Sequence, residues 1–166
     1  MSHGRKGNYI MGTIKVYSLE YGLDGMCSLV SREGTGYAEG YSIKNNQTAV
    51  DILNVTFNPS VKVNQYTYMI ACDRNMKVLG LFIVASGEPK HTRYSLRNII
   101  MRALLCKAKN IIIARNDPEG EWKFTSDELA DYFKLKETAN NVDININDYL
   151  ILSDNVYLSA EEQVKQ

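Results

Sequence analysis

The run Ile111-Ile112-Ile113-Ala114 constrains this chain more than any other segment, because it is wholly apolar, rich in β-branched residues, and breaks off abruptly into Arg115-Asn116-Asp117-Pro118. No polar residue alternates along it, so it reads as a buried strand rather than one with a wet face. A helix feeds it. Ser95 is placed as a cap, and Leu96, Ile99, Ile100, Ala103 and Leu104 share one face while Arg97, Arg102 and Lys109 lie largely away from it.

The surrounding segments supply the rest of a sheet and its helices. Val50, Leu53 and Phe57 recur at helical spacing from Asn46, with Pro59 as a stop. Tyr66 to Cys72 and Val78 to Ala85 are β-rich runs joined by the polar turn Asp73-Arg74-Asn75-Met76, which predicts a hairpin. After a loop from Arg115 to Phe124, Thr125-Ser126-Asp127-Glu128 is a capping box with Leu129, Tyr132, Phe133 and Leu135 behind it, so a helix starts there. Tyr149 to Leu152 and Val156 to Leu158 return to strand across Ser153-Asp154-Asn155. Near the amino end, Ile14, Val16 and Leu19 give a short strand pattern, and the Gly-dotted stretch from Tyr21 to Tyr41 reads as hairpin and loop. Met1 to Gly12, polar and rich in Gly, is expected to be partly disordered or a start-site extension.

Composition narrows the class of function. At 166 residues and 45% apolar, the chain is one domain with room for a substantial core. Nineteen basic residues balance nineteen acidic ones, so no global field draws it onto a phosphate backbone or an anionic membrane. No apolar run is long enough to span a bilayer, and Arg5 and Lys6 are not followed by a signal-peptide core. Cys27, Cys72 and Cys106 are odd in number and widely spaced, as reduced thiols of a cytoplasmic protein would be, and fit neither a disulfide framework nor a cysteine zinc site.

Gly87, then Arg97 at the opening of a helix, then the Ile111 to Ala114 strand and Arg115-Asn116-Asp117-Pro118-Glu119-Gly120 form an ordered series. With Ile146-Asn147-Asp148-Tyr149-Leu150-Ile151 and Tyr157-Leu158-Ser159 closing it, the segment from Ser42 to Ser159 resembles the RadC-like JAB domain, a bacterial branch of the JAB/MPN family. The resemblance implies an α/β fold of the cytidine-deaminase-like kind: a mixed β-sheet packed by helices, in a single domain over residues 42–166. Residues 1–41 would then be an amino-terminal extension carrying a strand or hairpin.

The family's members carry a zinc-peptidase-like site with a His-Asn-His-Pro-Ser-Gly signature. Here Asn116, Pro118 and Gly120 match it, while the two histidines fall on Arg115 and Asp117. At the family's spacing the Ser falls on Thr125, the ligand Asp on Glu128, and the upstream catalytic Glu on Gln65. A guanidinium has no lone pair to give and stays protonated, so Arg115 would repel a divalent cation. An amide takes up no proton near neutral pH, which removes Gln65 as a general base. With only His3 and His91 in the chain, no second imidazole pair replaces the lost one. These five positions therefore read as a vestigial metal site, with no catalytic residue and no zinc or other cofactor expected. In it Arg115 takes the place of the metal's charge and pairs with Asp117 or Glu128; the plainer alternative leaves these residues solvated on a loop, with Glu128 doing only its capping work.

Other surfaces compete for a role. Arg93, Arg97, Arg102, Lys107 and Lys109 gather around one helix, the best nucleic-acid patch in the sequence, but no base-stacking aromatics interleave with them and a solvated helix face is favoured. Arg97 coincides with the family's retained Arg and reads first as structural. Cys72 and Cys106 read as buried structural thiols. Tyr17, Tyr21, Tyr37 and Tyr41 cluster early, a pattern shared by partner-binding faces and exposed sheets. Trp122 is a partner anchor if its loop is exposed. The expected function is that of a catalytically inactive JAB-like domain that binds or inhibits a protein partner. RadC-like domains occur on phages and other mobile elements, so the resemblance allows a part in countering or assisting host machinery. A divergent metallopeptidase or isopeptidase using Asp117 and Glu128, and a DNA-associated accessory protein using the basic helix, are the alternatives. Neither the partner nor the oligomeric state follows from the sequence.

Overall fold

The computed structural model describes residues 12–166, so the expectation for Met1 to Met11 lies outside the described residues. Seven strands form one mixed sheet: β1 (Thr13–Tyr21), β2 (Cys27–Ala38), β3 (Gln65–Cys72), β4 (Val78–Gly87), β5 (Asn110–Asn116), β6 (Asn145–Ser153) and β7 (Val156–Ser159), in the order β2-β1-β4-β3-β5-β6-β7. Helix α1 (Asn46–Phe57) covers one face; α2 (Leu96–Leu105) and α3 (Ser126–Asn140) cover the other. The short α4 (Ala160–Val164), which no sequence pattern announced, adds Ala160 to the second core.

The apolar run is central, as its composition requires. β5 lies between β3, antiparallel, and β6, parallel, and its residues from Ile111 to Asn116 are all buried. Ile112 and Ala114 enter the α1-side core; Ile111 and Ile113 enter the α2 and α3 side. Arg115 and Asn116 were expected to open a loop, but they end the strand instead. Asn116 explains part of this extension: its side chain accepts from the Tyr66 N–H at 2.7 Å and donates to the Asn64 carbonyl at 2.9 Å. It ties the end of β5 to the beginning of β3.

Helix ends follow their caps. Asn45 and Thr48 form a capping box at α1, which stops at left-handed Asn58 before Pro59. Thr125 and Glu128 do the same for α3, and Ser95 caps α2. Two apolar side chains assigned to buried faces point outward: Leu104 is 54% exposed and Phe133 42%. Helix α2 buries Ile99 and Ala103, and α3 buries Tyr132, Leu135 and Ala139; both stripes are too narrow to take in their neighbours.

Residues 13–38 make a long hairpin whose strand β1 joins the sheet beside β4, with Val16 paired to Leu81. Gly80 makes that junction possible, since a Cβ there would lie 2.8 Å from the Tyr17 ring that crosses it. Among the described residues no helix is long and apolar enough to cross a membrane.

Asp148, on β6, holds three elements together. Its carboxylate accepts from the Asn46 amide at 2.8 Å, the Ser159 hydroxyl at 2.5 Å and the Glu161 N–H at 3.2 Å, joining α1, β7 and α4 to the sheet. Substituting Asp148→Ala strands all three donors, and is expected to cost roughly 2–4 kcal/mol in denaturant unfolding. An unchanged midpoint would show that the hub carries no weight.

Candidate functional site

At the carboxyl end of β5 the sheet meets the start of β3 and the amino end of α3, and a cleft of about 190 Å³ opens there. Gln65, Arg115, Asp117, Thr125 and Glu128 all line it: the last four come from β5, α3 and the loop between them, and Gln65 joins them from β3, fifty residues earlier than Arg115. Arg93 joins them at the rim; Trp122, Arg97 and Arg102 do not line it.

Arg115 forms the floor, only 5% exposed. Its Nε donates to Glu128 Oε1 at 2.5 Å and one terminal nitrogen to Glu128 Oε2 at 3.3 Å, a side-on fork. The same nitrogen also donates to the Lys123 carbonyl at 3.1 Å, and the other to the Asn116 carbonyl at 3.0 Å. Asp117 stands farther off, 3.7 Å from Arg115, and its other oxygen accepts from the Trp122 N–H at 2.8 Å. The pairing is therefore chiefly with Glu128.

Glu128 does two jobs with one carboxylate. While it holds Arg115, its Oε2 also accepts from the Thr125 N–H at 2.8 Å, completing the capping box of α3. Tyr149, from β6, donates its hydroxyl to Oε1 at 3.3 Å. Burial, then Glu128, hold the Tyr149 hydroxyl well above its ordinary range, so it stays a proton donor. Burial alone would pull the Arg115 guanidinium down, but Tyr149, Glu128 and Asp117 outweigh it and raise it. With Tyr149 protonated, the charge that Arg115 meets at neutral pH is that of Glu128 and Asp117.

Gln65 is buried at the start of β3, where its Oε1 accepts from the Lys90 N–H at 3.3 Å. Lys90 bridges the mouth through ion pairs to Glu119 at 3.0 Å and Glu121 at 2.6 Å. Hydrogen bonds to Glu121 and then Glu119 raise its pKa. The sequence reading gave neither Lys90 nor Tyr149 a part here. Lys90 has no local signal, because its partners lie on another loop; Tyr149 was visible only as a strand residue.

The remaining candidates separate. Trp122 is half-buried and has a left-handed backbone, φ 54°. Arg93 is tied to Asp131 at 2.6 Å, and Lys109 to Asp143. Arg97 is exposed and has no carboxylate partner among the described residues. Burial pushes the Cys72 thiol up to about 12, in keeping with an inert core residue, whereas Cys106 is only partly buried. Among the described residues no three His, Cys, Asp or Glu side chains are grouped as a metal site would need.

Removing one partner of the buried pair should be costly. Arg115→Leu is expected to lose roughly 2–4 kcal/mol of stability, because Glu128 is left without its countercharge. Combined with Glu128→Gln, the loss should fall short of the sum of the single losses by more than about 1 kcal/mol. Strict additivity in denaturant titrations would mean that the two side chains do not interact.

Comparison with known proteins gives the family. Residues 43–165 match the family model described as the RadC-like JAB domain. A UPF0758 protein of Aquifex aeolicus is 28% identical over 134 residues, covering 81% of this chain and 57% of that protein. UPF0758 proteins of Clostridium acetobutylicum and Clostridium perfringens are 24% and 28% identical over 99 and 95 residues, covering 60% and 57% of this chain and 43% and 42% of theirs. The chain thus spans about half the length of the curated relatives it matches. With most of its sheet, all its helices and the whole cleft inside the matched residues, the chain belongs to the RadC-like JAB domain family.

Proposed function

We propose that this chain is a zinc-free member of its family, a catalytically inactive domain that binds or inhibits a protein partner. The observation that carries the reading is Arg115, buried where the family resemblance puts a ligand histidine and forked onto Glu128, where it puts the ligand Asp.

The donor set does not suit a zinc ion. Zinc in such a site takes neutral imidazoles and a carboxylate and keeps one position open for water. Here, among the described residues, no histidine lines the cleft, both oxygens of Glu128 are engaged, and Asp117 is turned to the Trp122 N–H. The fixed positive charge of Arg115 satisfies those carboxylates as an ion would, yet it offers no open position and activates no water. Gln65, held by the Lys90 N–H, supplies no base. What such a cleft retains is shape: an ion-paired surface between two loops.

Elemental analysis of the purified chain tests this. The natural sequence is expected to carry no stoichiometric zinc and no metal-dependent peptidase activity. The fourfold variant Gln65→Glu, Arg115→His, Asp117→His, Glu128→Asp is expected to gain zinc. Stoichiometric zinc or zinc-dependent hydrolysis in the natural chain overturns the proposal in favour of a divergent peptidase.

A further inference from the structure

A second groove, of about 260 Å³, lies between the β1–β2 hairpin and α2 and shares no residue with the cleft. Leu19, Tyr21 and Cys27 line it from the hairpin, and Arg97, Met101 and Arg102 from the helix. The hairpin tip beside it presents apolar side chains to water: Tyr21 is 79% exposed and Met26 68%. Apolar side chains gathered beside a groove offer a partner a surface to cover.

Six cations among the described residues are paired with carboxylates, and Arg97 and Arg102 are not among them. Arg32 pairs with Glu20, Lys90 with Glu119 and Glu121, Arg93 with Asp131, Lys109 with Asp143, Arg115 with Glu128, and Lys136 with Glu161. Among the described residues Arg97 and Arg102 have no carboxylate within ion-pair distance, and the groove's lining contains none. Arg102 spends one terminal nitrogen on the Asn98 carbonyl of its own helix, at 3.1 Å, while its Nε is buried without an acceptor. A guanidinium desolvated at Nε without an acceptor carries an uncompensated cost, and a carboxylate in the groove, bonded to the remaining terminal nitrogen, would offset it.

We propose that this groove docks an acidic peptide segment of a protein partner, with a carboxylate on Arg102, Arg97 beside it, and an apolar side chain against Leu19, Tyr21 and Met101. That the partner is a protein rests on the binding-module reading above. Nucleic acid suits the surface less well, because two arginines on a chain of zero net charge do not track a phosphate backbone, and Arg93 and Lys109 nearby are already paired with Asp131 and Asp143. The flexible thioether of Met101 and the ring of Tyr21 accommodate an aliphatic or aromatic anchor.

Selection of a random dodecapeptide library on the immobilised full chain tests the inference. Recovered peptides are expected to pair Asp or Glu with Leu, Ile, Phe or Trp. A fluorescein-labelled peptide of the recovered sequence should lose affinity by about tenfold or more on Arg102→Gln and on Tyr21→Ser. Tyr21 is nearly free of the fold, so the second variant keeps the test valid should the first fail to fold. Recovery of peptides without acidic residues, or binding indifferent to both variants, overturns the inference. So does a short DNA duplex that displaces the peptide and loses its own binding with the same substitutions. Zinc content separates the two proposals: a zinc-loaded chain that still selects acidic peptides removes only the inactive-module reading, and a zinc-free chain that selects none removes only the groove.

Discussion

A guanidinium buried at the end of a strand is costly unless acceptors meet its N–H groups, and the cleft is built around four such bonds to Arg115. Its acceptors come from Glu128 on α3, from the Lys123 carbonyl just before α3, and from the neighbouring Asn116 carbonyl. Each bond fixes a piece of backbone. The amino end of α3 is thereby anchored to the end of β5, and the capping box of that helix is held by the carboxylate that neutralises the arginine. Remove the charge, and both the helix start and the loop before it lose a tie.

The same geometry bears on the proposed loss of chemistry. A divalent ion and a guanidinium can each compensate two nearby carboxylates, but only the ion can polarise a carbonyl or acidify a water. On this reading the electrostatic task of the site is kept and its Lewis acid is not. Tyr149 fits the arrangement, since a protonated hydroxyl beneath Glu128 adds a donor without adding a charge.

How much of this was legible in the sequence depended on whether the signal was local. Capping residues located α2 and α3, because a cap is written within four residues, and the spacing of Val50, Leu53 and Phe57 before Pro59 located α1. The strand pairs around Asp73 to Met76 and Ser153 to Asn155 were equally plain. Arg115 and Asn116 were taken for loop because a polar residue in a strand looks like an end; only long-range bonds, from Tyr66 and Glu128, reveal that the strand continues. Leu104 and Phe133 were assigned inward by periodicity, yet the packed stripe of a helix is set by what faces it. The five candidate positions do share one cleft, which spacing suggested through the family resemblance; the bridge made by Lys90 and the hub at Asp148 had no local signature.

A crystal structure determined after soaking in zinc chloride, with anomalous data at the zinc edge, tests the central claim most directly. The account predicts no anomalous peak in the cleft and the Arg115 guanidinium within hydrogen-bonding distance of Glu128. An ion seated between Asp117 and Glu128, with the arginine swung out to solvent, would contradict it.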